Sequence, residues 1–101
     1  MDQQPFNNNV QGKQVQVRAK DEDVKGVYSN VMQVTHTQEE FVLDFLNVFG
    51  QNGVLATRVI VSPGHFKRML SALGDNLKKY EEKFGQITPA QLPEGEIGFR
   101  P

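Results

Sequence analysis

Four stretches of the first 61 residues are rich in apolar and β-branched residues, and apolar and polar residues alternate in the first two of them. The stretches are 14–18, 27–35, 40–48 and 54–61. A period of two residues is typical of β-strands, because successive side chains of a strand point to opposite faces of the sheet. The segments between the last three stretches are short, and Asn52-Gly53 is a hairpin signal because both residues accept positive φ at low cost. The pattern predicts a four-stranded antiparallel meander.

The period changes after residue 61, where apolar residues begin to recur at alternating steps of four and three. Such steps place side chains on one stripe of an α-helix. Ser62 and Pro63 are suited to the helix start, and Gly85 is suited to its end. The sequence predicts a helix over 63–84, about 33 Å long. Its stripe comprises Phe66, Leu70, Leu73, Leu77, Tyr80 and Phe84, with Met69 on the flank.

These elements define one α+β domain with the order β-β-β-β-α, followed and preceded by tails. Residues 1–12 are rich in Gln and Asn and are predicted to form a flexible arm, whereas 13–87 form the folded domain. Residues 88–101 hold three prolines and two glycines and are predicted to be extended. Within this tail, Leu92, Ile97 and Phe99 could anchor to a neighbouring subunit, and a free tail is the alternative.

The third predicted strand is apolar on both faces, with Phe41, Leu43 and Phe45 on one and Val42, Leu46 and Val48 on the other. A strand with one face in water would instead alternate apolar and polar residues. One helix covers only one face of a sheet, so we expect the other to be a protein interface. The helix itself should pack mostly on the sheet, with its far end overhanging. The predicted interface residues are Val42, Leu46, Val48, Tyr80 and Phe84.

The expected use of this surface is homo-oligomerisation, to a dimer or higher, because symmetric self-association is the common fate of such patches. Binding of another polypeptide is the alternative, and the two are compatible. We therefore predict a homo-oligomeric protein-interaction module.

Composition narrows the remaining possibilities. The chain of 101 residues has 11 basic and 12 acidic side chains, so it lacks the basic excess that argues for nucleic acid as a partner. It has no cysteine, which excludes disulfides, a thiolate zinc site and a cysteine nucleophile. Neither a signal peptide nor an apolar segment of membrane-spanning length is recognisable. The sequence thus predicts a cytoplasmic protein without a membrane partner.

Four residues near the predicted helix start could contact an anion or a nucleic acid: Arg58, His65, Lys67 and Arg68. The free amide groups of a helix start favour anions. The competing interpretation is a capped helix start with solvated basic side chains, which we favour because every helix has such a start. Nucleic-acid binding is therefore kept only as an alternative function.

The sequence offers no constellation for catalysis, metal or cofactor. His36 stands in a predicted turn, and two separated histidines with scattered acids lack the spacing of a metal site. Asp44 lies in the apolar third strand, where Arg58 of the next strand is its expected cross-strand partner. No nucleophile and base are brought together by any motif. We predict a non-enzyme without a cofactor.

Three motifs carry a resemblance to a known family: Tyr-Ser-Asn at 28–30, Glu-Phe-x-Leu-Asp-Phe at 40–45, and Ser-Pro-x-His-x-Lys-Arg at 62–68. Together with 70–85 they resemble a family of small prokaryotic proteins known only as domain of unknown function thirty-four sixty-seven. The likeness covers roughly 28–85. It implies a shared fold type and supplies no activity.

A second likeness concerns topology alone. A four-stranded meander followed by a long helix is similar to the plan of the export chaperone SecB, although no sequence motif is shared. That likeness implies paired subunits whose apolar grooves hold unfolded chains. It gives a second alternative function, a chaperone-like binder of unfolded polypeptide.

Overall fold

The computed structural model describes residues 14–93 and 95–100. It has the α+β architecture predicted from the sequence, and its elements, in chain order, are α1 (Asp21–Lys25), β1 (Val31–His36), β2 (Phe41–Phe49), β3 (Asn52–Val61) and α2 (Pro63–Phe84). The strands form one antiparallel sheet in the order β1-β2-β3. Helix α2 has the bounds that the sequence predicted. The predicted arm, 1–12, lies outside the described residues.

The first of the four predicted strands, at 14–18, is not a strand: the sheet of the described residues has three strands. Val15 and Val17 are 46% and 62% exposed. Two small apolar side chains bury too little surface to offset the entropy lost on ordering a strand. The acidic residues after this segment form the first turn of α1, where carboxylates favour a helix start.

The connection between β2 and β3 is shorter than the predicted segment 50–53. Phe49 pairs with Asn52, so Gly50-Gln51 forms the turn and Asn52-Gly53 belongs to β3. Gly50 has φ of +63°, which glycine adopts without steric cost. The register places Asp44 opposite Arg58, with an irregularity between Phe45 and Leu46 that shifts the pairing by one residue. A turn at 50–51 without this irregularity would pair Asp44 with Thr57, so the ion pair depends on it.

The two faces of the sheet are covered differently, and we name them by what lies on them. The helix-side face consists of Met32, Val34, His36, Phe41, Leu43, Phe45, Thr57, Val59 and Val61. The tail-side face consists of Val31, Gln33, Thr35, Val42, Asp44, Leu46, Val48, Leu55, Arg58 and Ile60. The alternation of side chains across the pleat separates the two sets.

The apolar core is small and central to β2. Leu43 on the helix-side face and Leu46 on the tail-side face are 3% and 5% exposed. Both lie on the central strand, between neighbours on either side. A core of this size leaves most apolar side chains of the outer strands and of α2 accessible.

Helix α2 meets the sheet through its first two turns. The ring of Phe66 stacks on Phe41 with centroids 4.1 Å apart, and Met69 is half-buried. Beyond Met69 the expectation of packing on the sheet is wrong: Leu70 and Leu73 are 56% and 63% exposed. The periodicity identifies the apolar side of a helix but not the surface that covers it. No helix in the described parts of the chain is long and apolar enough to cross a membrane.

Candidate functional site

Arg58 of β3 and Asp44 of β2 form a bidentate ion pair, as predicted. Arg58 Nε and Nη2 donate to Asp44 Oδ1 and Oδ2 at 2.6 and 3.0 Å. These bonds hold the pKa of Asp44 below its usual 3.8, although burial of the carboxyl group acts in the opposite direction. The same bonds raise the pKa of Arg58. The pair fixes the register of β3 and anchors a guanidinium on the tail-side face.

The Tyr-Ser-Asn motif at 28–30 is hydrogen-bonded to the end of β2. The Asn30 side chain donates through Nδ2 to the Val48 carbonyl at 3.0 Å and accepts the Val48 amide through Oδ1 at 2.9 Å. Asn47 Nδ2 donates to the Tyr28 carbonyl at 2.9 Å, and Ser29 Oγ lies 3.0 Å from the Leu46 carbonyl. The side chain of Asn30 thus makes the two hydrogen bonds to Val48 that the backbone of a neighbouring strand would otherwise make. Sequence reasoning placed 28–30 inside a strand and missed this role.

The helix start is capped as expected. The side chain of Ser62 accepts the amide of His65 at 3.2 Å, and Pro63 occupies the first turn. Arg68 Nη2 donates to His65 Nδ1 at 3.0 Å. The third motif of the sequence therefore builds a helix start.

The four residues proposed for an anion contact fall into two places. His65 and Arg68 bond to each other on α2, and Lys67 is exposed beside them. Arg58 is bound to Asp44 on the tail-side face. His36, at the end of β1, lies with its ring 5.4 Å from that of Phe41. Within 14–93 and 95–100, no three acidic or histidine side chains converge as a metal site would require.

The predicted interface residues differ in what they offer. Leu46 is buried within the single chain, and Val42 and Val48 are half-buried. Tyr80 and Phe84 are 49% and 65% exposed, with their rings 4.9 Å apart. They continue an exposed row along α2, named here the α2 stripe: Leu70, Leu73, Leu77, Tyr80 and Phe84. These side chains of α2 are therefore more accessible than Val42, Leu46 and Val48 of β2.

The C-terminal tail lies over the tail-side face. A cleft of about 660 Å³ separates the two, lined by Leu46, Val48 and Leu55 from the sheet side and by Ile97 and Phe99 from the tail. The Phe99 ring centroid lies 5.7 Å from the guanidinium carbon of Arg58, within range of a cation–π contact. The sequence identified the apolar residues of the tail but not the face that they reach.

Comparison with known proteins gives one match. A family model described as "Protein of unknown function (DUF3467)" matches residues 1–89. No curated protein and no solved structure matches the chain. The topological likeness to SecB therefore has no support, and the sheet of the described residues lacks the fourth strand on which it was based.

Proposed function

Because the chain belongs to the DUF3467 family, which is described only as unknown in function, we propose a function from the geometry of its surfaces. The protein is a non-enzymatic interaction module that assembles with a second copy of itself through the α2 stripe. The observation that carries this proposal is the exposure of all five stripe residues, each between 48% and 65%.

The area of the stripe fits an interface. With about 200 Å² for a large side chain, five side chains at roughly half exposure present about 500 Å² of surface per chain. The largest apolar patch on a typical monomer is about 300–600 Å², and such patches are often functional. Two copies would remove about 1,000 Å² in total, which is the lower bound for a specific interface. Neighbouring side chains on the helix add to this area.

The spacing of the stripe fits an antiparallel pair. From Leu70 to Tyr80 the steps are three, four and three, which read the same in both directions. A two-fold axis beside Asp75 would therefore place Leu73 against Leu77 of the second copy and Leu70 against its Tyr80. A two-fold interface requires such self-complementarity, because the same patch is used on both subunits.

The residues that flank the stripe support the same arrangement. Lys67, Gly74 and Glu81 recur every seven residues on one side of it. In the antiparallel pair Lys67 lies beside Glu81 of the second copy, and the two Gly74 residues meet near the axis. A Cβ at Gly74 would meet nothing within 4 Å in its own chain. A mid-helix glycine costs about 0.5–1 kcal/mol, and close approach of a second helix offers a reason for it.

The test is the solution mass of the purified protein by light scattering across a concentration series. We expect a dimer or a multiple of it, and Leu77→Glu should reduce the mass to that of a monomer. Leu77 is 48% exposed, so the substitution spares the fold. Ser71→Glu adds the same charge outside the stripe and should leave the mass unchanged. A wild-type protein that is monomeric at micromolar concentration would exclude this function.

The alternative functions have less support. Nucleic-acid binding would need the basic residues on one surface, whereas Arg58 is bound to Asp44 and Arg68 to His65. A steep fall of DNA or RNA affinity with salt would nevertheless restore it. Binding of unfolded polypeptide has support from the tail-side face, where residues 95–100 already lie without helix or strand.

A further inference from the structure

The C-terminal tail lies on the tail-side face and contacts it through side chains alone. Ile97 and Pro93 are half-buried, and Phe99 lies against Arg58. Among the described residues, no hydrogen bond joins the segment after residue 90 to the sheet. Because a cleft of about 660 Å³ remains between them, the segment fills its surface incompletely. A contact of this kind is readily displaced.

The segment that lies over the tail-side face is outside the part of the chain that matches the family model. The family match ends at residue 89, whereas the residues that line the cleft from the tail begin at Pro93. The face itself belongs to β2 and β3, well inside the matched region. The surface therefore lies within the matched region, and the segment that covers it lies beyond that region.

The chemistry of the surface defines its occupant. The sheet side of the cleft has an apolar part, formed by Leu46, Val48 and Leu55. Beside it lies the guanidinium of Arg58, which is bound to Asp44. Ile97 and Phe99 are two residues apart, which is the spacing of side chains on one side of an extended chain. Asp44 bonds to one edge of the guanidinium, and an aromatic ring above its plane adds a cation–π contact on one face.

We infer that the tail-side face is a binding surface for an extended polypeptide segment that carries two apolar side chains two residues apart, the second of them aromatic. The C-terminal tail occupies this surface in the free protein and competes with such a segment. This inference does not depend on self-association, because no residue of the α2 stripe lines the cleft.

The probe is a synthetic peptide with the sequence of residues 90–101, added to ¹⁵N-labelled full-length protein. The amide signals of Leu46, Val48 and Leu55 report binding at the cleft even when affinity is weak. Wild type is compared with a full-length variant carrying Ile97→Asp and Phe99→Ala, which frees the face. Both substitutions lie outside every helix and strand, and an unchanged pattern of the other amide signals shows that the sheet is intact.

We expect the freed variant to bind the peptide with shifts at these amides, and wild type to need about tenfold more peptide. A tethered tail acts at an effective concentration in the millimolar range, which the added peptide must overcome. Equal binding to both proteins, or no shift in the freed variant at millimolar peptide, would overturn the inference. A peptide with the same two substitutions should not bind, and Leu55→Asp in the freed variant should abolish binding.

The mass of each sample separates this inference from self-association through α2. Leu77→Glu should leave peptide binding unchanged whether or not it alters the mass. If Ile97→Asp with Phe99→Ala instead lowers the mass, the tail binds a second copy rather than its own sheet, and occupancy within one chain is wrong.

Discussion

Arg58 grips Asp44 through both oxygens of its carboxylate, and Asp44 is 4% exposed while the side chain of Arg58 is 48% exposed. The carboxylate of Asp44 is thus buried, whereas the guanidinium that binds it is partly exposed to water. The parallel N–H bonds of the guanidinium fit a carboxylate in a way that a lysine could not. The pair holds β2 and β3 in register and also positions the Arg58 guanidinium on the tail-side face.

The pair should make stability depend on pH. The folded-state pKa of Asp44 lies below its usual 3.8, so its contribution is fully present above that value and is lost as pH falls through the folded-state pKa. Asp44→Asn should lower the melting temperature at neutral pH, and the difference from wild type should shrink as the pH falls below 3.8. Thermal unfolding followed by circular dichroism measures this. Glu82→Gln, on the exposed outer side of α2, is the control; a pH-independent difference for Asp44→Asn would contradict the argument.

Gly50 should tolerate substitution poorly although nothing crowds it. A Cβ there would meet nothing within 4 Å, but the φ of +63° is costly for other residues. Gly50→Ala should therefore cost about 1–2 kcal/mol of unfolding free energy, the usual cost of a left-handed conformation. Gly50→Asn should cost less, because asparagine visits that region more readily. Urea unfolding of the two variants compares them; equal losses would mean that φ is not the cause.

Asn30 should be sensitive to a change that barely alters its size. Asn30→Asp keeps the acceptor for the Val48 amide but replaces the donor to the Val48 carbonyl with a second oxygen. The loss of one hydrogen bond and the new repulsion should cost about 1 kcal/mol or more at neutral pH. Urea unfolding measures the loss. Gln51→Glu, in the exposed turn, introduces the same charge and should have little effect.

The antiparallel register predicts a charge-reversal result. Lys67→Glu would place like charges beside Glu81 of the second copy at two equivalent points, and should weaken the dimer about tenfold by sedimentation. Mixing this variant with Glu81→Lys should restore the affinity, because opposite charges then meet at both ends of the mixed pair. Glu81 also accepts the Ile87 amide at 2.9 Å, so helix content of each variant is the control. If the mixture is no tighter than either variant alone, the register is wrong.

The sequence by itself determined the elements whose signals are local. Ser62, Pro63 and Gly85 bound a helix through capping and fixed dihedral preference, and the bounds 63–84 follow from them. The cross-strand partner of Asp44 was also predictable, because a buried carboxylate between apolar neighbours needs a cation and Arg58 is the cation on the next strand. Motif recognition placed the chain in its family.

Tertiary structure decided what covers each apolar surface. The alternation at 14–18 and the stripe of α2 are real patterns, yet a period states only which side chains share a face. Whether Val15 finds a neighbouring strand, or Leu73 a sheet, depends on contacts between distant parts of the chain. The tail-side face shows the same division: the sequence marks Ile97 and Phe99 as apolar, and only the folded chain brings them over Leu55 and Arg58.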